Sequence, residues 1–99
     1  MYYTYILYSE KRKTFYKGST SNLKDRIKRH NSGFEKYSKS GAPWRLIWAA
    51  EKSTRTEAMV LERKLKNLTV KRLLLFVLKY PENVSGFDEL LLIQKLSEC

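Results

Sequence analysis

Aromatic and β-branched residues fill positions 2–8, Tyr-Tyr-Thr-Tyr-Ile-Leu-Tyr, which predicts a strand. The polar run Ser9-Glu10-Lys11-Arg12-Lys13 reads as a hairpin connection, and residues 14–19, around Phe15 and Tyr16, as a second strand. So short a link favours antiparallel pairing. Residues 20–22, Thr-Ser-Asn, offer side-chain oxygens that can accept the free first-turn N–H groups of a helix. That helix runs to about Asn31 and stops at Asn31-Ser32-Gly33. With about 100° of rotation per residue, Leu23, Ile27 and Phe34 share one buried stripe. His30 falls within the stripe and Arg26 on its edge, whereas Lys24, Asp25, Lys28 and Arg29 face solvent.

Residues 33–43 carry Gly, Ser, Lys and Pro and read as a loop. Trp44 to Glu51 form a third strand, whose nearly continuous apolar stretch from Leu46 to Ala50 predicts cover on both faces. Ser53 or Thr54 caps a helix to about Leu68, with Ala58, Leu61, Leu65 and Leu68 as its core stripe. Thr69 caps a third helix through Tyr80, apolar almost all round at 73–78 and so expected to be buried, and Pro81 ends it. A last helix, Phe87–Leu96, is expected to dock on the domain or on a second chain. The order is β-β-α-β-α-α plus a C-terminal helix. This is an α+β fold with a small three-stranded antiparallel sheet flanked by helices. It divides into a body, 1–80, and an apolar helical tail, 81–99.

Composition narrows the function classes. Ninety-nine residues suggest one domain, and 42% hydrophobic with 13% aromatic residues suffices for a core. One His and one Cys exclude the usual four-ligand N/S zinc sites and an intrachain disulfide framework, so a reducing, cytoplasmic compartment is the default expectation. The four glycines are not spaced for a dinucleotide fingerprint or a P-loop. The longest apolar run, Leu73–Leu78, is far too short to span a bilayer, and no secretory signal or membrane partner is expected. Residues 1–80 hold 19 basic and 6 acidic groups, while 81–99 hold one basic and four acidic. A body of that sign favours a polyanion, nucleic acid first.

Five residues then form a pattern. Tyr5 lies in Thr4-Tyr5-Ile6 on strand one, and Tyr16-Lys17-Gly18 ends strand two. Arg26 and His30 are one turn apart on the first helix, and Glu62 sits on the next, in Ala58-Met59-Val60-Leu61-Glu62. Over roughly residues 2–79 this order resembles the GIY-YIG nuclease family, closest to small stand-alone bacterial members similar to the N-terminal nuclease domain of the UvrC excinuclease. The first motif lacks its glycine, the second keeps both outer residues, and the family's asparagine downstream of the Glu has no counterpart near the apolar Leu74.

The resemblance implies a metal-dependent endonuclease that hydrolyses DNA phosphodiester bonds in repair or recombination. It implies one divalent ion, Mg²⁺ or Mn²⁺, held by Glu62. It implies catalytic roles for Tyr5, Tyr16, Arg26, His30 and Glu62, with one tyrosine helping to deprotonate water. Such hydrolysis needs an activated water, charge neutralisation and a stabilised leaving alkoxide. Arg26 presents a planar fork to phosphate. Free tyrosine titrates near ~10, so a tyrosinate needs help, and a nearby Arg26 and metal would lower that value. Tyr5 is expected as the base and Tyr16 as the positioning residue, with His30 relaying a proton or holding a tyrosine hydroxyl. Glu62 borders its apolar stripe, placed either for a metal or for an i,i+4 ion pair with Lys66. Gly18 serves structure, through close approach or positive φ. Lys11, Arg12, Lys13, Lys17, Lys36, Lys39 and Arg45 are candidate phosphate contacts, which position DNA without reading it. No segment reads as a base-reading helix, so DNA structure rather than sequence is the expected cue. The alternative is a binding module that needs a partner, and the tail could serve a homodimer or a protein partner.

Overall fold

Three antiparallel strands form one sheet in the order β2-β1-β3. They are β1 (Tyr2–Ser9), β2 (Thr14–Thr20) and β3 (Trp44–Lys52). The helices are α1 (Leu23–Ser32), α2 (Arg55–Lys66), α3 (Val70–Lys79) and α4 (Phe87–Ser97), with short 3-10 turns at Lys39–Gly41 and Pro81–Asn83. This computed structural model describes residues 1–33 and 38–98. Phe34 and Lys36, assigned to the α1 stripe and to phosphate contact, lie outside the described residues. The element order and α+β class are those the sequence predicts.

Local chemistry sets the helix ends. Asn22 accepts the Asp25 backbone N–H at the start of α1, and Gly33 ends it at φ 84°. Thr54, of the two candidate caps, accepts the Glu57 N–H, while the Glu57 carboxylate accepts from the hydroxyls of Ser53 and Thr54. Those two hydroxyls hold the Glu57 carboxyl below the usual range. Thr69 caps α3 by accepting the Arg72 N–H at 3.2 Å.

The central strand β1 is the one covered on both faces, buried from Thr4 through Ser9. Directly opposed residues in an antiparallel pair share a face. Ile6 and Tyr8 enter the larger core with Ile47, Trp48, Leu65, Leu73, Val77 and Ile93. Tyr5 and Leu7 enter a smaller cluster with Trp44, against Leu23 and Ile27 of α1. Helices α2 and α3 thus cover one face, and α1 the other.

Strand β3 is covered on both faces, as expected: Ile47, Trp48 and Ala50 enter the larger core, and Trp44, Leu46 and Ala49 the smaller cluster. Ile6 pairs with Trp48 but Leu7 pairs with Leu46, a bulge that leaves Ile47 as the extra residue. Ile47 and Trp48 therefore both enter the larger core. The slip adds one residue to the larger-core face of a run that is apolar on both faces. The free edge of β3 is clipped by the tail, with a Trp48–Val84 bridge and Ser85 N–H on the Ile47 carbonyl at 2.9 Å. One expectation changes: helix α3 is not buried all round. Leu73, Leu74 and Val77 are inside, but Leu75 is 53% exposed. A six-residue run covers all sides of a helix, and only one side meets the sheet. Helix α4 packs on α3 and β3, and Ile93 is fully buried.

Candidate active site

Tyr5 and Gly18 are direct partners across the β1–β2 ladder, and Tyr16 pairs with Leu7 on the same face. Helix α1 crosses that face and carries Arg26 and His30 one turn apart. Its end is clamped to β3 because the Asn31 side chain donates to the Trp44 carbonyl at 3.1 Å and accepts the Trp44 N–H. His30 is completely buried. Its Nε2 lies 3.0 Å from the Tyr5 hydroxyl, and its Nδ1 lies 2.7 Å from Ser38 Oγ. The Tyr16 ring stands edge-on to the imidazole at 4.5 Å and 6.3 Å from the Tyr5 ring.

Glu62 arrives from the other face. Buried Thr4 donates to the Ala58 carbonyl at 2.7 Å, which pins α2 to β1. Ala58 is fully buried and small enough for close approach. One turn later Glu62 overhangs the edge strand β2. Ser19 Oγ donates to its Oε1 at 2.6 Å, and Lys66 pairs with its Oε2 at 2.7 Å. Ser19 pairs with Thr4 and Lys17 with Ile6, so both belong to the α2 face. The site therefore wraps around an edge strand, with tyrosines, His30 and Arg26 on one face and Glu62, Ser19 and Lys17 on the other. Gly18 is where the two faces meet without a side chain between them.

Charge differs across the site. Burial raises the Tyr5 pKa, Tyr16 and Glu62 push the same way, and the Arg26 guanidinium on the hydroxyl opposes them without prevailing. Arg26 lowers the Tyr5 value, as expected, but desolvation outweighs it. Burial pushes the Glu62 carboxyl up, but hydrogen bonds from Lys66 and Ser19 and the charges of Lys66 and Arg26 more than offset it, and its pKa is lowered. Desolvation, and then the nearby Lys66 charge, lower the Lys17 pKa.

The chain matches the GIY-YIG catalytic domain over residues 1–74. It belongs to the GIY-YIG family. Among curated relatives it is 42% identical to UPF0213 protein YazA of Bacillus subtilis, over 65% of this chain and 66% of that protein. The match thus spans just under two thirds of that relative's length. It is 35% identical to UPF0213 protein YsiG of Lactococcus lactis, over 79% of this chain and 75% of that protein. Among solved structures, the solution structure of UPF0213 protein BH0048 from Bacillus halodurans is similar at 35% identity, covering 70% of this chain and 74% of that one, with a TM-score of 0.44. GIY-YIG domains are nuclease domains and are generally metal-dependent.

In this GIY-YIG chain the donor set for a metal is spare. Among the described residues no group of three His, Cys, Asp or Glu side chains could enclose an ion. A single hard carboxylate such as Glu62 fits Mg²⁺, which keeps most of its waters and takes substrate phosphate oxygens. The Lys66 ammonium already sits on Oε2 of that carboxylate, so a cation approaching that oxygen competes with it.

The expected phosphate contacts separate. Lys17 lies in the site beside Lys66. Lys11, Arg12 and Lys13 lie in the β1–β2 turn, about 13 Å along the strand from Gly18 at about 3.3 Å per residue. Arg12 there donates to Ser40 Oγ at 2.5 Å. Lys39 is exposed on the 3-10 turn. The Arg45 guanidinium pairs with Glu89 at 2.7 Å and Glu10 at 3.1 Å.

Residues missed by pattern reading are Ser19, Ser38 and Arg55. Arg55 joins Arg26, Ser19, Thr20 and Ser21 around a cleft of about 320 Å³. A larger groove of about 530 Å³, lined by Tyr3, Leu23, Ile27 and Leu46 among others, touches none of the five candidate residues. Chemistry, rather than size, selects the cleft. No helix among the described residues is long and apolar enough to cross a membrane.

Proposed function

We propose that this chain is an endonuclease that hydrolyses DNA phosphodiester bonds, chosen by DNA structure rather than sequence, in repair or recombination. The observation that carries the reading is the Tyr5 hydroxyl 3.0 Å from His30 Nε2 with Arg26 on the same hydroxyl and Glu62 close behind. A tyrosinate is costly there, but a neutral tyrosine can still work. Tyr5 takes a proton from the attacking water as its own proton passes to His30 Nε2, so no free tyrosinate forms. Tyr16, edge-on to His30, positions the water and the phosphate. Arg26 forks the phosphate oxygens. Glu62 would hold one Mg²⁺ or Mn²⁺, and such an ion, when bound, stabilises charge on the phosphoryl and leaving oxygens.

Burial first, and then the neighbouring Lys66 charge, disfavour the charged Lys17, and an incoming phosphate offsets both. Arg55 and Arg26 flank the cleft in which the strand would run. All four are phosphate-type contacts, which grip backbone and leave selection to DNA shape.

The test is a panel of duplex, nicked, flap and junction DNAs with Mg²⁺ or Mn²⁺, run on wild type beside Glu62→Ala and Arg26→Ala. Metal-dependent nicking lost in both folded variants supports the reading. A folded wild type inert on every substrate sinks it. A second reading, a binding module completed by a partner, is favoured by one observation: both Glu62 oxygens are already engaged, by Ser19 and Lys66. It predicts salt-sensitive DNA binding without turnover.

A further inference from the structure

We propose that Ser38 is a positioning residue that fixes the tautomer of His30, so that His30 Nε2 is the atom free to receive the Tyr5 proton. The inference rests on the proton transfer proposed above. Neutral imidazole carries one N–H and one acceptor nitrogen, and the bond made by one nitrogen sets the role of the other. Here both nitrogens are engaged inside the protein, Nδ1 with Ser38 Oγ at 2.7 Å and Nε2 with Tyr5 at 3.0 Å, and the ring has no exposed surface. Solvent therefore does not choose the tautomer.

Two arrangements satisfy the pair. Nδ1–H donates to Ser38 and Nε2 accepts from Tyr5, or the reverse. The Tyr5 side shows which of the two Ser38 holds. The Tyr5 hydroxyl has one proton, and the nearby Arg26 guanidinium, which has donors only, cannot accept it. Tyr5 is completely buried, and His30 Nε2 is the acceptor on hand for its proton. Nε2 must then be the bare nitrogen, and Nδ1–H must donate to Ser38. The Ser38 hydroxyl is held for this: its own backbone carbonyl accepts the Trp44 indole N–H at 2.6 Å, which anchors the residue to β3. Ser38 is itself fully buried.

His30 is the one histidine in the chain, so imidazole ¹⁵N signals report it alone. Long-range ¹H–¹⁵N spectra of the full-length wild type are expected to show a protonated Nδ1 and a bare Nε2. Ser38→Ala is expected to shift the ring toward the Nε2–H form, and Ser38→Thr, which keeps the hydroxyl, to restore the wild-type spectrum. Loss of an outer hydrogen-bond partner costs a metal-bound histidine about tenfold to a hundredfold, and a loss of that order is expected for His30. Cleavage by Ser38→Ala should fall by that factor, with recovery in Ser38→Thr. A wild-type spectrum with protonated Nε2, or one unchanged in Ser38→Ala, overturns the inference whatever the cleavage assay shows. The expected spectra together with an inert wild type would sink the nuclease reading and leave the tautomer assignment supported.

Discussion

Gly18 faces Tyr5 across the ladder so closely that a Cβ placed on Gly18 would lie 2.6 Å from the Tyr5 hydroxyl oxygen. The glycine is therefore needed for space. Its substitution would push the hydroxyl off His30 and Arg26. Gly18→Ala is expected to cost about 1–3 kcal/mol through overpacking and to reduce cleavage at least about tenfold. Urea melts and cleavage rates on one preparation check both. A variant as active as wild type would show that the Tyr5 position is not critical.

Glu62 ties stability to pH with a definite sign. Its folded-state pKa is lowered, so the stability it contributes is full above the ordinary carboxylate range and is lost as pH falls through the lowered folded value. The stability difference between wild type and Glu62→Gln is expected to be larger at neutral pH than below about pH 3. Urea unfolding of both proteins across that range measures it. A difference that grows in acid contradicts the sign.

Lys66 competes with any cation for the same carboxylate oxygen. Lys66→Met is expected to lower the Mg²⁺ concentration needed for half-maximal cleavage by about threefold or more, since removing a competing charge strengthens the carboxylate's hold. A metal titration at fixed DNA reads this. A midpoint that rises would assign Lys66 to phosphate rather than to competition.

Lys17 and Arg45 should separate in a salt series. Each neutralised phosphate contributes a log–log slope of about −0.9 on duplex DNA. Lys17→Ala is expected to flatten the slope of DNA binding by about that amount. Arg45→Ala should leave the slope unchanged, because its partners are Glu89 and Glu10. Fluorescence anisotropy at several salt concentrations checks both variants.

What could be read beforehand was local. Tyr5, Tyr16 and Gly18 sit on short strands with clear β pattern, and Arg26 and His30 share one helix face, so a few residues of context placed them. Ser19 escaped notice because its role depends on Glu62, 43 positions away, and on β2 being an edge. Ser38 escaped because a serine in a polar loop carries no periodicity. The two carboxylates that pair with Arg45 lie 35 and 44 positions away, beyond the reach of any local pattern. The apolar run of β3 carries the sign of cover on both faces, whereas the bulge at Ile6/Leu7 depends on pairing with β1 and leaves no local pattern.

The family match stops at Leu74, inside α3, but the packing does not. Trp48, in the middle of β3, donates its indole N–H to the Tyr80 carbonyl at 3.0 Å and bridges to Val84, and Ile93 fills the far side of the same core. The recognisable unit is therefore smaller than the foldable one. A fragment trimmed to the matched residues would keep all five candidate catalytic side chains in its sequence and is expected to lose the wall they rest on, exposing the open edge of β3 to other chains. Anyone grafting this domain onto another protein should carry the acidic tail along, since it acts as a lid on the sheet as much as a terminus.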